Sequence, residues 1–222
     1  MLQSATLKFL KDLSKNNNKP WFESHRKQYD EAKNDFAGFV QSIIHAHSRK
    51  DPSIAHLKAK DCMFRINRDV RFSKDKSPYK NNMGAYLNKG GKKSVFGGYY
   101  FHCQPGQSFV GGGLWMPMPP ELNKVRQELD YNLEAFKKII TSKKFTAVYD
   151  GLSKDPEYTL IRLPKGYETD NPAAEYLKFK SFVTMTSLKD AELASKDLSK
   201  KILVAFSALQ PMLEFINQSI EG

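Results

Sequence analysis

The chain has 222 residues, 40% of them hydrophobic and 12% aromatic, which is enough apolar side chain for a buried core and excludes a disordered polymer. Its apolar runs are too short to span a bilayer, so no membrane partner is expected. A net charge of +11 at pH 7 points toward anionic partners, and two cysteines, Cys62 and Cys103, exclude a disulfide framework or a cysteine-built zinc site.

The opening MLQSATLKFLKDLSK lacks the basic-then-apolar layout of a secretory signal. With both thiols read as reduced, a cytoplasmic protein is expected. Leu7, Leu10 and Leu13 fall at helical spacing and predict a helix over 4–15, with Ser4 or Thr6 as its N-cap. NNNKP at 16–20 breaks it, and Pro20 suits the first turn of the next helix. Trp21, Phe22, Tyr29, Phe36, Phe39, Val40, Ile43 and Ile44 then fit one long helix that ends before Pro52. His45 and His47 are two apart and do not share a helix face, so no metal site is assigned to them. His25, near the helix start, is a possible neutral base, against the simpler reading of a helix packed by Trp21 and Phe22.

From about residue 61 the period changes to two, which predicts a strand over FRINRDVRF. Cys62, Phe64, Ile66, Val70 and Phe72 share one face, and Arg65, Asn67, Asp69 and Arg71 share the other. Arg68 falls on the apolar face, where it requires a carboxylate partner or a bulge. SKDKSPYK supplies a turn around Pro78, with Lys74, Lys76 and Lys80 in a loop. NMGAYL, GGYYFHCQ and QSFVGGGLW read as further strands, and the links NKGG and QPGQ suit antiparallel connections. In the second of these, Tyr100 and His102 share one face and Tyr99, Phe101 and Cys103 the other. Gly111, Gly112 and Gly113 let backbone approach a neighbouring strand or a ligand, with packing the favoured reading.

Pro119 and Pro120 open a helix that breaks near Tyr131–Leu133. KFTAVYD and TLIRLP read as short extended pieces, PAAEYLKF as a short helix and FVTMTSL as a strand. The tail from Asp190 to Ile220 is helical, in two pieces because Pro211 interrupts it. No repeat or linker stands out. A single α+β domain over 1–222 is predicted, a central antiparallel sheet with N- and C-terminal helices packed on it.

Charge is concentrated. Between Lys58 and Lys93 eleven basic residues face only Asp61, Asp69 and Asp75, so this span carries +8 of the chain's +11. Arginine suits bidentate recognition of phosphate or carboxylate, and interspersed Asp can hold a guanidinium in place. Arg65, Arg68, Arg71, Lys74, Lys76, Tyr79 and Lys80 are the candidate anion-binding residues. No GxxxxGK[ST] phosphate loop, GxSxG elbow or Asp…(Asp/Glu)-x-Lys nuclease pattern accompanies them.

The stretch RINRDVRFSKDKSPYK resembles the signature of a bacterial family of unknown function with relatives inside longer fungal proteins. The pattern falls on Arg65, Arg68, Asp69, Arg71, Phe72, Asp75, Lys76 and Tyr79. NNNKPWF, GGYYFHCQPG, VGGGLWMP, Val125-Arg126 and LPKGY carry the likeness along most of the chain. The resemblance implies a single-domain protein and no particular activity or cofactor.

Three functions are compatible with the motif. The first is a binding module for a phosphate-bearing small molecule or a nucleic acid, with Tyr79 or Tyr86 stacking on a base. The second is an enzyme acting on a small anionic substrate, with Asp69, His102 or Tyr79 moving a proton. The third is a structural role through Arg68–Asp69 and Arg71–Asp75 ion pairs. Binding is preferred.

Overall fold

The computed structural model describes residues 1–222. It contains ten α-helices and a four-stranded antiparallel sheet in the order β1-β2-β3-β4, an α+β chain as the pattern predicts.

Helix α1 (Ser4–Lys15) buries Phe9, Leu10 and Leu13. Neither Ser4 nor Thr6 caps it. The residue at the cap is Gln3, and the Thr6 hydroxyl instead donates to Asp35 Oδ2 at 2.6 Å. The expected long helix is interrupted at its start, giving α2 (Lys19–Ser24) and α3 (Arg26–His47). Asn18 caps α2 by accepting from Trp21 N at 3.0 Å, and Pro20 lies in its first turn. The break is His25, whose ring lies 4.0 Å from Trp21 in a stacked pair while its Nδ1 sits 2.8 Å from the Trp21 carbonyl oxygen. That ring is therefore part of a helix junction, as the packing reading expects.

A short helix α4 (Ala59–Cys62) precedes the charged segment. Strands β1 (Met83–Leu87), β2 (Gly98–Cys103) and β3 (Ser108–Leu114) follow, and β4 (Phe182–Leu188) completes the sheet. The β2–β3 link turns on Gln104–Gln107, closed by Gln107 N donating to Gln104 O at 2.9 Å. Pro105 supplies its fixed φ and Gly106 the positive φ of 81° that a type II turn requires. Alternation along β2 is as expected: Tyr99, Phe101 and Cys103 are buried, Tyr100 and His102 half-buried.

Contacts divide the chain into two compact units, 1–87 with 100–110 and 187–203, and 88–99 with 111–186 and 204–222. In the first, Phe36 and Phe39 of α3 meet Phe101 at 5.6 and 5.7 Å between ring centres, which covers the apolar face of β2. In the second, Phe206 meets Tyr99 at 4.7 Å. Helices α5 (Pro119–Tyr131), α6 (Leu133–Ile140), α7 (Lys143–Thr146) and α8 (Ala174–Leu177) belong to it, with the predicted break between α5 and α6 at Asn132.

Three expectations are corrected. KFTAVYD is not extended, because Ser142 caps a helical turn there by accepting from Phe145 N at 3.3 Å. TLIRLP forms no strand, only a single bridge from Thr159 to Phe179. The tail is divided by residues 194–197 between α9 (Asp190–Leu193) and α10 (Leu198–Glu221), and α10 runs through Pro211 without interruption. An internal proline costs about 3 kcal/mol. The flanking Leu209, Met212, Leu213 and Ile216 are all buried, and at about 1.5–3 kcal/mol for each such side chain their packing outweighs it.

Candidate functional site

The charged segment does not form the long strand its alternation suggests. It folds back as an irregular hairpin onto the chain leading into β1. Phe64 N donates to Gly84 O at 3.0 Å, Lys80 N to Ile66 O at 2.8 Å and Arg68 N to Pro78 O at 2.9 Å. Antiparallel bridges join Met63 to Ala85 and Asn67 to Tyr79. The register slips by two residues between these bridges, so the bulge anticipated near Arg68 lies on the opposite arm, around Asn81 and Asn82. Pairing ends at Arg68, and 69–77 is an irregular tip. Alternation therefore fails beyond that point: Ile66 is buried, but Phe72 is 94% exposed.

Within the tip each aspartate holds an arginine. Asp75 accepts from the Arg68 guanidinium, which also donates to Ser77 Oγ at 3.0 Å and Ser73 Oγ at 3.3 Å. Asp69 accepts from Arg71 Nε at 2.9 Å and Nη2 at 2.7 Å. These pairings replace the expected Arg68–Asp69 and Arg71–Asp75 bridges. Hydrogen bonds from the Ser77 hydroxyl and amide, followed by Arg68, lower the Asp75 carboxyl to about 2. Arg71 likewise lowers the Asp69 carboxyl, and Asp69 raises Arg71. A carboxylate gripped in this way is a weak proton acceptor. Lys76 Nζ donates to the Val70 carbonyl at 3.0 Å, while Arg65 and Lys74 point to solvent without a hydrogen bond or ion pair.

Tyr79 is not available for stacking on a ligand. It is 5% exposed, its ring lies 3.9 Å from Phe22, and its backbone is held on both sides by Asn17. Asn17 Nδ2 donates to Tyr79 O at 2.8 Å and Tyr79 N donates to Asn17 Oδ1 at 3.0 Å. NNNKPWF and SPYK thus meet in space and anchor the hairpin base to α2. Sequence reasoning missed this pairing, for which only the three asparagines offered a signal.

The hairpin base also reaches the outer face of the sheet. The Phe64 ring lies 6.1 Å from Tyr100, with Lys80 Nζ 5.4 Å from the Phe64 centre. Tyr100 Oη is 3.0 Å from His102 Nδ1, and His102 Nε2 is 3.0 Å from Gln104 Oε1. An amide oxygen only accepts, so Nε2 carries the proton and Nδ1 accepts from the tyrosine. Burial lowers the His102 pKa and pushes Tyr100 up to about 12, so both are neutral near pH 7. His102 therefore joins the Phe64–Lys80 end of the hairpin, whereas Arg71 and Asp69 are at its tip.

Two clefts lie elsewhere. One of about 700 Å³, between α1 and α3, is lined by Thr6, Phe9, Glu31 and Asp35 among others. The other, of about 360 Å³, lies at the α5–α6 junction beside Asn171. Neither includes a residue of 64–80. No helix is long and apolar enough to cross a membrane.

Residues 5–215 match the family described as conserved hypothetical protein (DUF2461), and the chain belongs to that family. No curated protein and no solved structure matches it.

Proposed function

We propose that the 64–80 hairpin binds a phosphate-bearing polyanion. The observation that carries this reading is the division of labour within the hairpin. Asp69 and Asp75 brace Arg71 and Arg68 from inside, while Arg65, Lys74 and Lys76 present exposed positive charge. The surrounding +8 of Lys58–Lys93 adds long-range attraction. Binding is favoured over catalysis because two of the three proton-transfer candidates, Asp69 and Tyr79, are committed to an ion pair and to the core.

Three phosphate contacts release about 2.7 counterions, so affinity for a duplex should fall roughly 40-fold between 50 and 200 mM salt. Titration of a labelled duplex at both salt concentrations tests this. An Arg65→Ala/Lys74→Ala variant should reduce the slope of log affinity against log salt by about two. Salt-independent affinity, or an unchanged slope in the variant, would remove the hairpin from the binding surface.

A further inference from the structure

Resting on the polyanion reading, we infer that the ligand is a single-stranded nucleic acid whose bases stack on Phe72, on Phe64 and on the aromatic row that Phe64 joins. Phe72 stands 94% exposed at the hairpin tip, with the Arg71 guanidinium 5.8 Å from its ring centre. Phe64 is 42% exposed, with the Lys80 ammonium 5.4 Å from its ring. Each exposed ring is thus paired with a cation. That is the chemistry of a nucleotide, one flat apolar base beside one phosphate.

From Phe64 the aromatic surface continues onto the sheet. Tyr100 is 6.1 Å from Phe64 and 5.6 Å from Phe109, and Phe109 stacks on His102 at 4.7 Å with 14° between planes. Tyr100, His102 and Phe109 lie half-buried on β2 and β3, the two central strands, opposite the face covered by α3. Aromatics on the central strands of an antiparallel sheet are a known way to hold unpaired bases, because every base has a π-face.

A duplex fits less well. Its bases are already stacked on one another, so it offers Arg65 and Lys74 phosphates but offers Phe72 nothing. A purely apolar partner would have to strip water from Arg71 and Lys80 to reach the same rings. A flexible single strand satisfies both halves of each pair.

The test uses fluorescence anisotropy with labelled ten-nucleotide poly-U, poly-dT and a ten-base-pair duplex, at two salt concentrations. It compares the full chain with Phe72→Ala, an exposed substitution, and checks the fold of both by circular dichroism. Tighter binding of a single strand than of the duplex is expected. Phe72→Ala should weaken the single strand by about 5- to 150-fold, the usual range for one stacked base, with the salt slope intact and the duplex nearly unaffected. If poly-U alone behaves so, the ligand is RNA. Equal affinity for strand and duplex, or a Phe72→Ala variant that binds strands as well as the parent, overturns base stacking while leaving the phosphate reading standing. Absence of binding to all three probes at both salts overturns both.

Discussion

Gly113 gives the sharpest quantitative test of the sheet that carries the aromatic row. Its φ is 131°, and a Cβ added there would overlap the Phe182 carbonyl oxygen and lie 2.8 Å from Val183 Cα. Gly113→Ala therefore meets two penalties. The backbone region costs an L-residue about 1–3 kcal/mol. The β3–β4 ladder must also open to admit the methyl group, weakening one or two hydrogen bonds at about 1 kcal/mol each. Together these predict a loss of about 2–5 kcal/mol, which for a chain of this size lowers the melting temperature by roughly 10 °C. Gly38 is the internal control, since in α3 it has nothing within 4 Å and a negative φ. Gly38→Ala should gain about 0.5–1 kcal/mol from helix propensity alone. Urea unfolding followed by circular dichroism measures both variants on one scale. A Gly113→Ala protein within about 1 kcal/mol of the parent would mean that β3 and β4 do not approach as closely as described.

Other predictions follow from individual contacts. Arg126 is 6% exposed and donates from Nε to Leu177 O at 2.9 Å and from Nη2 to Phe179 O at 3.1 Å. Arg126→Met keeps bulk but strands both carbonyls, so it should cost about 2–4 kcal/mol in urea unfolding, and a loss under 0.5 would show that water replaces the guanidinium. Asp75 has its folded pKa lowered to about 2, so the unfolded chain protonates first. Its stabilisation of the hairpin is complete above about pH 4 and is lost as pH falls toward 2, and the amide-exchange protection factors at 68–77, taken relative to the intrinsic rate at each pH, should fall in that window. His102 also titrates below its ordinary value because burial disfavours the imidazolium. Its contribution is therefore present above about pH 6.5 and lost as pH falls, and a nuclear magnetic resonance midpoint above 6.5 would contradict the buried tautomer.

Elements governed by local pattern were legible in the sequence. The leucines of α1, the break at Asn132 and the alternation of β2 each depend on neighbours a few residues apart. Pro211 was misread because its local cost was visible while the tertiary packing of α10 was not. The FRINRDVRF strand failed for a related reason. Alternation continues through Val70 and Phe72, but no partner strand faces them. Pairing stops where the Arg68 guanidinium finds Asp75, Ser73 and Ser77 across the turn. The Asn17–Tyr79 lock, whose partners are 62 positions apart, has no periodic signature at all.

The candidate site divides in the same way. Composition revealed where positive charge gathers, but it treated every arginine in the motif alike and chose the stacking residue by type. Folding separates them. Arg68 becomes a brace, Tyr79 joins the core on Phe22, and Phe72 is left in water. Those three outcomes have one cause. Once Asn17 pins Tyr79 and Arg68 closes the turn, the residues between them are forced outward as a short loop. Arg71 is held there by Asp69, and Phe72 stands beside it with nothing to cover it. A hairpin serving stability alone needs the first two contacts but gains nothing from an exposed ring at its tip. On the proposed polyanion reading the tip would bind, while the base contacts hold the hairpin in place. Arg68→Ala should accordingly loosen the loop and weaken every polyanion together, whereas Phe72→Ala should leave folding untouched and discriminate single strands from duplex. Binding assays and amide exchange on the two variants separate these effects, and identical profiles for both would refute the division.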